Sequence, residues 1–174
     1  KAIHQHIVDS SEDNMLKITT DGRKIGLDPR LFDPNSFDDP ESKVNLAVDK
    51  IYSIWTDTQK DKLTQMVFCD FSVPGKEGFN VYDDMKNKLI AKGIPAEEIA
   101  FIHSANTDAK KEQLFSQVRA GNVRILFGST AKMGEGTNCQ DRLIALHHLD
   151  APWKPSDVGR ILRTFKIKKN VEVT

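Results

Sequence analysis

The sequence has little cysteine: Cys69 and Cys139 are the only two in 174 residues. Two thiols cannot build the multi-bridge scaffold of a small secreted domain, and no CxxC pair offers structural zinc ligands. Both lie in apolar strings and read as reduced thiols of an intracellular, cytoplasmic protein. No apolar run approaches the ~18 residues of a membrane span, and the first residues carry no signal-peptide pattern, so no membrane partner is expected. Net charge is absent as well, with 25 Lys plus Arg against 25 Asp plus Glu. That excludes a histone-like arm or a broadly basic coat, though it leaves room for a local basic groove. The chain begins at Lys1 without an initiator Met, which points to a piece of something longer.

What is present suits a globular domain. Hydrophobic residues make up 39% and charged residues 29% of the chain, enough apolar material for one core. Residues 1–42 stand apart, with nine acids against five bases and Asp-Pro turns at Asp28-Pro29, Asp33-Pro34 and Asp39-Pro40. They read as an irregular acidic connecting arm with one short strand over 15–19. From Asp39, a capping residue followed by Pro40, a helix begins whose apolar stripe is Val44, Ala47, Val48, Ile51, Ile54 and Trp55.

Strands and helices then alternate. Apolar runs of strand length lie at 65–71 (QMVFCDF), 99–103, 123–127 (VRILF) and 143–149 (LIALHHL), with a short final strand over 171–174. Amphipathic helices lie between the first three: 81–92, stopped by Gly93 and Pro95, and one capped by Asn106 or Thr107 that Gly121 ends after Ala120. A further helix opens at Pro155. Buried strands separated by helices predict an α/β domain with three layers, a parallel sheet covered by helices on both faces.

Ligands of such sheets bind beyond the carboxyl ends of the strands. The most informative segment there is Gly128-Ser129-Thr130-Ala131-Lys132-Met133-Gly134-Glu135-Gly136-Thr137-Asn138. Its glycines and hydroxyls let backbone approach a phosphate, and Lys132 adds charge. It lacks the GxxxxGK[ST] spacing of a Walker A loop, and Cys139 stands where a dinucleotide fingerprint needs its third glycine. Downstream, Lys154, Arg160, Arg163, Lys166, Lys168 and Lys169 face a single acid, Asp157. Arg160 and Arg163, three apart, share one side of a helix and could brace a triphosphate or a nucleic-acid backbone. His147 and His148 are adjacent on a strand, face opposite ways and read as structural; no metal-ligand set is expected. His103 and Asp150 read as loop-end polar residues.

Taken in order, the blocks resemble the second RecA-like lobe of superfamily 2 helicases of the Swi/Snf-type branch. QMVFCDFS at 65–72 resembles motif IV, Ile102-His103-Ser104 the H-G-S segment, 125–138 (ILFGSTAKMGEGTN) motif V, 143–155 (LIALHHLDAPWKP) the stretch between motifs V and VI, and Gly159-Arg160-Ile161-Leu162-Arg163 the GRxxR core of motif VI. KMGEGTN together with LIALHHLDAPWKPSD is most similar to helicase-like lobes of phage and mobile-element proteins that also carry a DNA methylase module. The resemblance implies a lobe at 43–174, reached through the arm at 1–42, that forms half of a DNA-dependent ATPase motor. It implies Arg160 and Arg163 as arginine fingers on the γ-phosphate, and Gly134, Glu135, Gly136 and Asn138 lining the nucleotide cleft. Ser104, Ser129, Thr130 and Lys132 would touch the backbone of double-stranded DNA. ATP and Mg²⁺ would be held mainly by a first RecA-like lobe, because this chain has neither a Walker A lysine nor an acidic DExx pair. Motif VI departs from the family pattern: Ser156-Asp157-Val158 runs straight into Gly159, without the usual preceding glutamine. Two other readings of the residues remain, a non-catalytic nucleic-acid-binding or protein-interaction module of the same shape, and a small-molecule α/β enzyme using the loop 134–138.

Overall fold

A computed structural model describes residues 20–75, 77–133, 138–150 and 171–174. Five strands, β1 (Thr64–Phe68), β2 (Ile99–Phe101), β3 (Ile125–Gly128), β4 (Leu143–His148) and β5 (Glu172–Val173), form one sheet in the order β2-β3-β1-β4-β5. Every pairing is parallel. The central strand β1 is buried along its whole length, its polar Thr64 and Gln65 included, as a strand covered by helices on both faces must be.

Among the described residues the helices are 20–27 (α1), Lys43–Asp57 (α2), Val81–Lys92 (α3), Asp108–Ala120 (α4) and Thr130–Met133 (α5). On one face, Val44, Val48, Ile51 and Trp55 of α2 and Val81, Tyr82, Met85 and Leu89 of α3 pack with Val67, Cys69, Ile125 and Phe127. On the other face, Phe115 and Val118 of α4 and Met133 of α5 pack with Met66, Phe68, Leu126 and Leu146. The odd and even residues of β1 thus feed two separate cores, the period-two geometry of a strand. The three-layer parallel α/β fold read from the sequence is present.

Local signals placed most boundaries. Thr107 accepts from the Lys110 amide at 3.2 Å to start α4, and Gly121, at φ 78°, ends it. Gly93, at φ 120°, ends α3. The start of α2 differs from the reading: Ser42 is its cap, accepting from the Asn45 amide at 3.1 Å. Asp39 instead accepts from the Glu41 amide at 2.9 Å, closing a turn that must finish before the helix begins. β1 and β2 are shorter than their apolar runs, and after β2 the chain tightens into a 3-10 turn over Ile102–Ser104.

Part of the stretch read as irregular is regular, with a helix over 20–27 and a 3-10 turn at Pro29–Leu31. Leu27 is buried in the core of α2 and α3. Arg30 binds Asp28 through Nε (2.9 Å) and Nη2 (2.7 Å), and also reaches Asp38 at 2.9 Å and Asp84 at 3.1 Å. Lys88 bridges Asp38 and Asp84 at 2.7 and 2.9 Å. The acids Asp28 and Asp38 are therefore engaged in fastening the arm to α3. The strand expected over 15–19 and the helix expected from Pro155 lie outside the described residues.

His147 and His148 do point to opposite faces. His147 joins three strands, with Nε2 2.8 Å from Gln65 Oε1 and Nδ1 2.9 Å from Thr174 Oγ1, while His148 stacks on Phe68 at 4.7 Å. Burial, with a smaller push from Lys50, holds His147 down from 6.5 to about 4. Below pH 6.5 the unfolded chain takes up a proton that the folded chain refuses until about pH 4, so stability present at neutral pH drains away across that interval. The full loss is about 3 kcal/mol. Chemical denaturation between pH 7 and pH 4.5 should show this fall, and a His147→Phe variant should show a shallower one.

Candidate nucleic-acid and nucleotide interface

Beyond the carboxyl ends of the strands, the chain at the end of β3 folds back onto the sheet at once. A Cβ on Gly128 would lie 2.6 Å from Ile102 Cγ2 and from Cγ and Sδ of Met133, so only glycine lets α5 pack this closely. Ser129 starts the turn: its carbonyl accepts from the amides of Lys132 (3.1 Å) and Met133 (3.0 Å), and its Oγ accepts from the Lys132 amide at 3.3 Å. Met133, fully buried, anchors the turn from below.

The turn is also held from β1. The Thr130 amide donates to Asp70 Oδ1 at 2.7 Å and its hydroxyl to Asp70 Oδ2 at 2.9 Å. Asp70 is placed in turn by Asp150, at the end of β4, whose carboxylate accepts from the amides of Asp70 (2.8 Å) and Phe71 (2.7 Å). Burial pushes the Asp150 carboxyl up, and those two amides pull it back. Asp150 is thus a backbone staple between strand ends.

The neighbouring loop after β2 brings His103 and Ser104. Ser104 Oγ donates to the Phe101 carbonyl at 2.7 Å. The His103 ring meets Tyr82 edge-on at 5.4 Å, and its buried Nδ1 has no hydrogen-bond partner among the described residues. Burial lowers the His103 pKa, and the charge of Lys132 lowers it further, so the loops after β2 and β3 share one electrostatic environment. Tyr82 donates its hydroxyl to the Cys69 carbonyl at 2.6 Å, tying α3 to the end of β1. Burial pushes the Cys69 thiol up and the Cys139 thiol up to about 12, so neither is a nucleophile at neutral pH.

Of the residues singled out in the sequence, Ser129, Thr130 and Lys132 share one turn, and Ser104 lies on the loop beside it. Asn138 lies elsewhere: its carbonyl accepts from Arg119 in the last turn of α4, toward the edge where the strands begin. Gly134, Glu135, Gly136, Arg160 and Arg163 lie outside the described residues. Asp70 was missed; its signal was an acid inside the apolar run 65–71. The hydroxyl protons of Thr130 and Ser104 are committed within the protein. Ser129 Oγ accepts from an amide and keeps its proton to donate, and Lys132 is exposed, with no ion pair among the described residues. A hydroxyl and an ammonium on one turn can meet a phosphate oxygen and carry no base information.

No family model matches the chain, and no curated protein matches it. Solved structures do. The C-terminal part of the Fun30 ATPase domain is similar over 80% of this chain and 43% of its own, with a TM-score of 0.55 and 15% identity. The DUF1998 helicase MrfA, in a crystal structure bound to DNA, is similar over 73% of this chain and 18% of its own, with a TM-score of 0.51 and 11% identity. The chain spans less than half the length of either. At these identities the likeness is one of fold. No helix among the described residues is long and apolar enough to cross a membrane.

Proposed function

We propose that this chain is the second RecA-like lobe of a two-lobed, ATP-driven motor on double-stranded DNA, of the Swi/Snf-type branch. Residues 43–174 are the lobe, and residues 1–42 the arm that leads into it. The observation that carries the reading is the convergence of Ser104, Ser129, Thr130 and Lys132, from two separate loops, at the strand-end edge of a fold also found in a helicase and in an ATPase domain. Ser129 and Lys132 contact the DNA backbone directly. Gly134, Glu135 and Gly136 line the nucleotide cleft, and Arg160 and Arg163 reach the γ-phosphate; Asn138, held by Arg119 at the other edge of the sheet, is left out of that cleft.

The sequence holds neither of the elements that grip ATP and Mg²⁺, so a first lobe supplies them and this chain completes a composite site. A fused DNA methylase module belongs to the same reading, as does a reducing, cytoplasmic setting that suits two buried free thiols. The departure in motif VI favours one second reading, a non-catalytic nucleic-acid-binding or protein-interaction module. DNA-stimulated ATP hydrolysis separates the two. The chain alone is expected to be inactive, and a polypeptide joining it to a lobe with a GxxxxGK[ST] loop is expected to hydrolyse ATP faster with duplex DNA. If the joined polypeptide ignores both ATP and DNA, the module reading replaces the motor.

A further inference from the structure

Asp70 has no part in the function proposed above, yet it is tied to the turn at its centre. The residue is exposed and lies two positions beyond the end of β1, after the buried Cys69. Its carboxylate spans 60 residues of sequence to Thr130, with one oxygen on the amide and the other on the hydroxyl. Its own amide is fixed by Asp150, 80 residues further along. The bonds run in series: the end of β4 holds the backbone at the end of β1, and the Asp70 side chain holds the turn at the end of β3.

We infer that Asp70 is a positioning residue of this edge, fixing the Ser129–Lys132 turn against β1 and β4 so that the Ser129 hydroxyl and the Lys132 ammonium meet a phosphate together. The inference rests on the proposed reading of that turn as a contact to the DNA backbone. Its physical basis is a match of donors to acceptors. Thr130 offers an N–H and an O–H side by side, and a carboxylate presents two oxygens to receive them. The charge itself would repel a phosphate arriving at the same edge, so what Asp70 contributes is geometry. Asparagine can preserve that geometry, taking the Thr130 amide on its carbonyl oxygen and donating its own amide to Thr130 Oγ1. Alanine preserves neither bond.

The test compares the 174-residue chain with Asp70→Ala and Asp70→Asn, by amide hydrogen exchange and by binding of a short fluorescent DNA duplex at low salt. Asp70 lies outside both cores, so both variants keep the fold, with thermal melts as the control. In Asp70→Ala the amides of Thr130 and Lys132 are expected to exchange about tenfold faster, the scale of losing a charge-assisted bond, and the duplex to bind about fivefold more weakly. Asp70→Asn is expected to keep near-native protection and to bind the duplex at least as tightly as the native chain. Unchanged exchange in Asp70→Ala overturns the inference, as does faster exchange with unchanged binding, or an Asn variant as poor as Ala. If the native chain binds no duplex, the DNA reading falls. The exchange data alone then decide: fast in Ala and slow in Asn upholds Asp70 as the residue that positions the turn, and any other pattern removes it.

Discussion

Arg124→Ala is expected to destabilise the fold by about 3–5 kcal/mol, a large share of what a domain of this size has. Arg124 stands just before β3, is only 2% exposed, and lies at the opposite edge of the sheet from the candidate interface. Its Nε donates to the Leu63 carbonyl at 3.0 Å, and Nη2 donates to the Trp55 carbonyl at 2.9 Å and to Thr58 Oγ1 at 3.0 Å. The guanidinium also lies over the Trp55 ring at 5.2 Å, with Glu98 4.0 Å from Nη1. The Trp55 carbonyl is in the last turn of α2, where no further helical amide reaches it. The arginine therefore closes the end of α2 and pins that end to β3. Alanine would strand the Trp55 and Leu63 carbonyls, at about 1–3 kcal/mol for each group left buried, and would leave a cavity, while the Thr58 hydroxyl keeps its bond to the Ile54 carbonyl. Methionine restores the volume but not the donors, so Arg124→Met should lie between. Urea denaturation measures both; an alanine variant within about 1 kcal/mol of the native chain would show that water replaces the guanidinium without penalty.

Arg160→Ala, in a polypeptide that also carries the first lobe, is expected to lower DNA-stimulated ATP hydrolysis by about 10³-fold or more. The transferring phosphoryl group spreads charge over its oxygens in the transition state, and in the proposed motor the Arg160 guanidinium neutralises that charge. The loss should therefore fall on kcat, with the KM for ATP changed little, because in the proposed motor the first lobe does most of the ground-state binding. Arg160→Lys is expected to recover little, since an ammonium cannot reproduce the planar fork. Duplex binding should survive, because the backbone contacts proposed for Ser129 and Lys132 are untouched. Undiminished ATPase in Arg160→Ala would remove the arginine-finger role.

The alternation of strands and helices was legible in the sequence, because period and caps are local. The stripe from Val44 to Trp55 and the stops at Gly93 and Gly121 need only neighbours a few residues away. The three layers followed, since several strand-length apolar runs separated by helices require a sheet covered on both faces. The turn at Ser129–Lys132 was legible as a candidate because small residues and a lysine after a strand are a local pattern too.

What supports that turn was decided only by tertiary structure. The order β2-β3-β1-β4-β5 sets β1 between β3 and β4, so the end of β1 meets residue 130 on one side and residue 150 on the other. No local pattern encodes that meeting. Asp70 lies in the sequence inside the apolar run 65–71 and Arg124 inside the run 123–127, each a charge within a strand-length apolar segment. Each acquires its partners only when strand order brings together groups 60 to 80 residues apart, and once buried or held there, a polar group must be satisfied by whatever the fold places beside it.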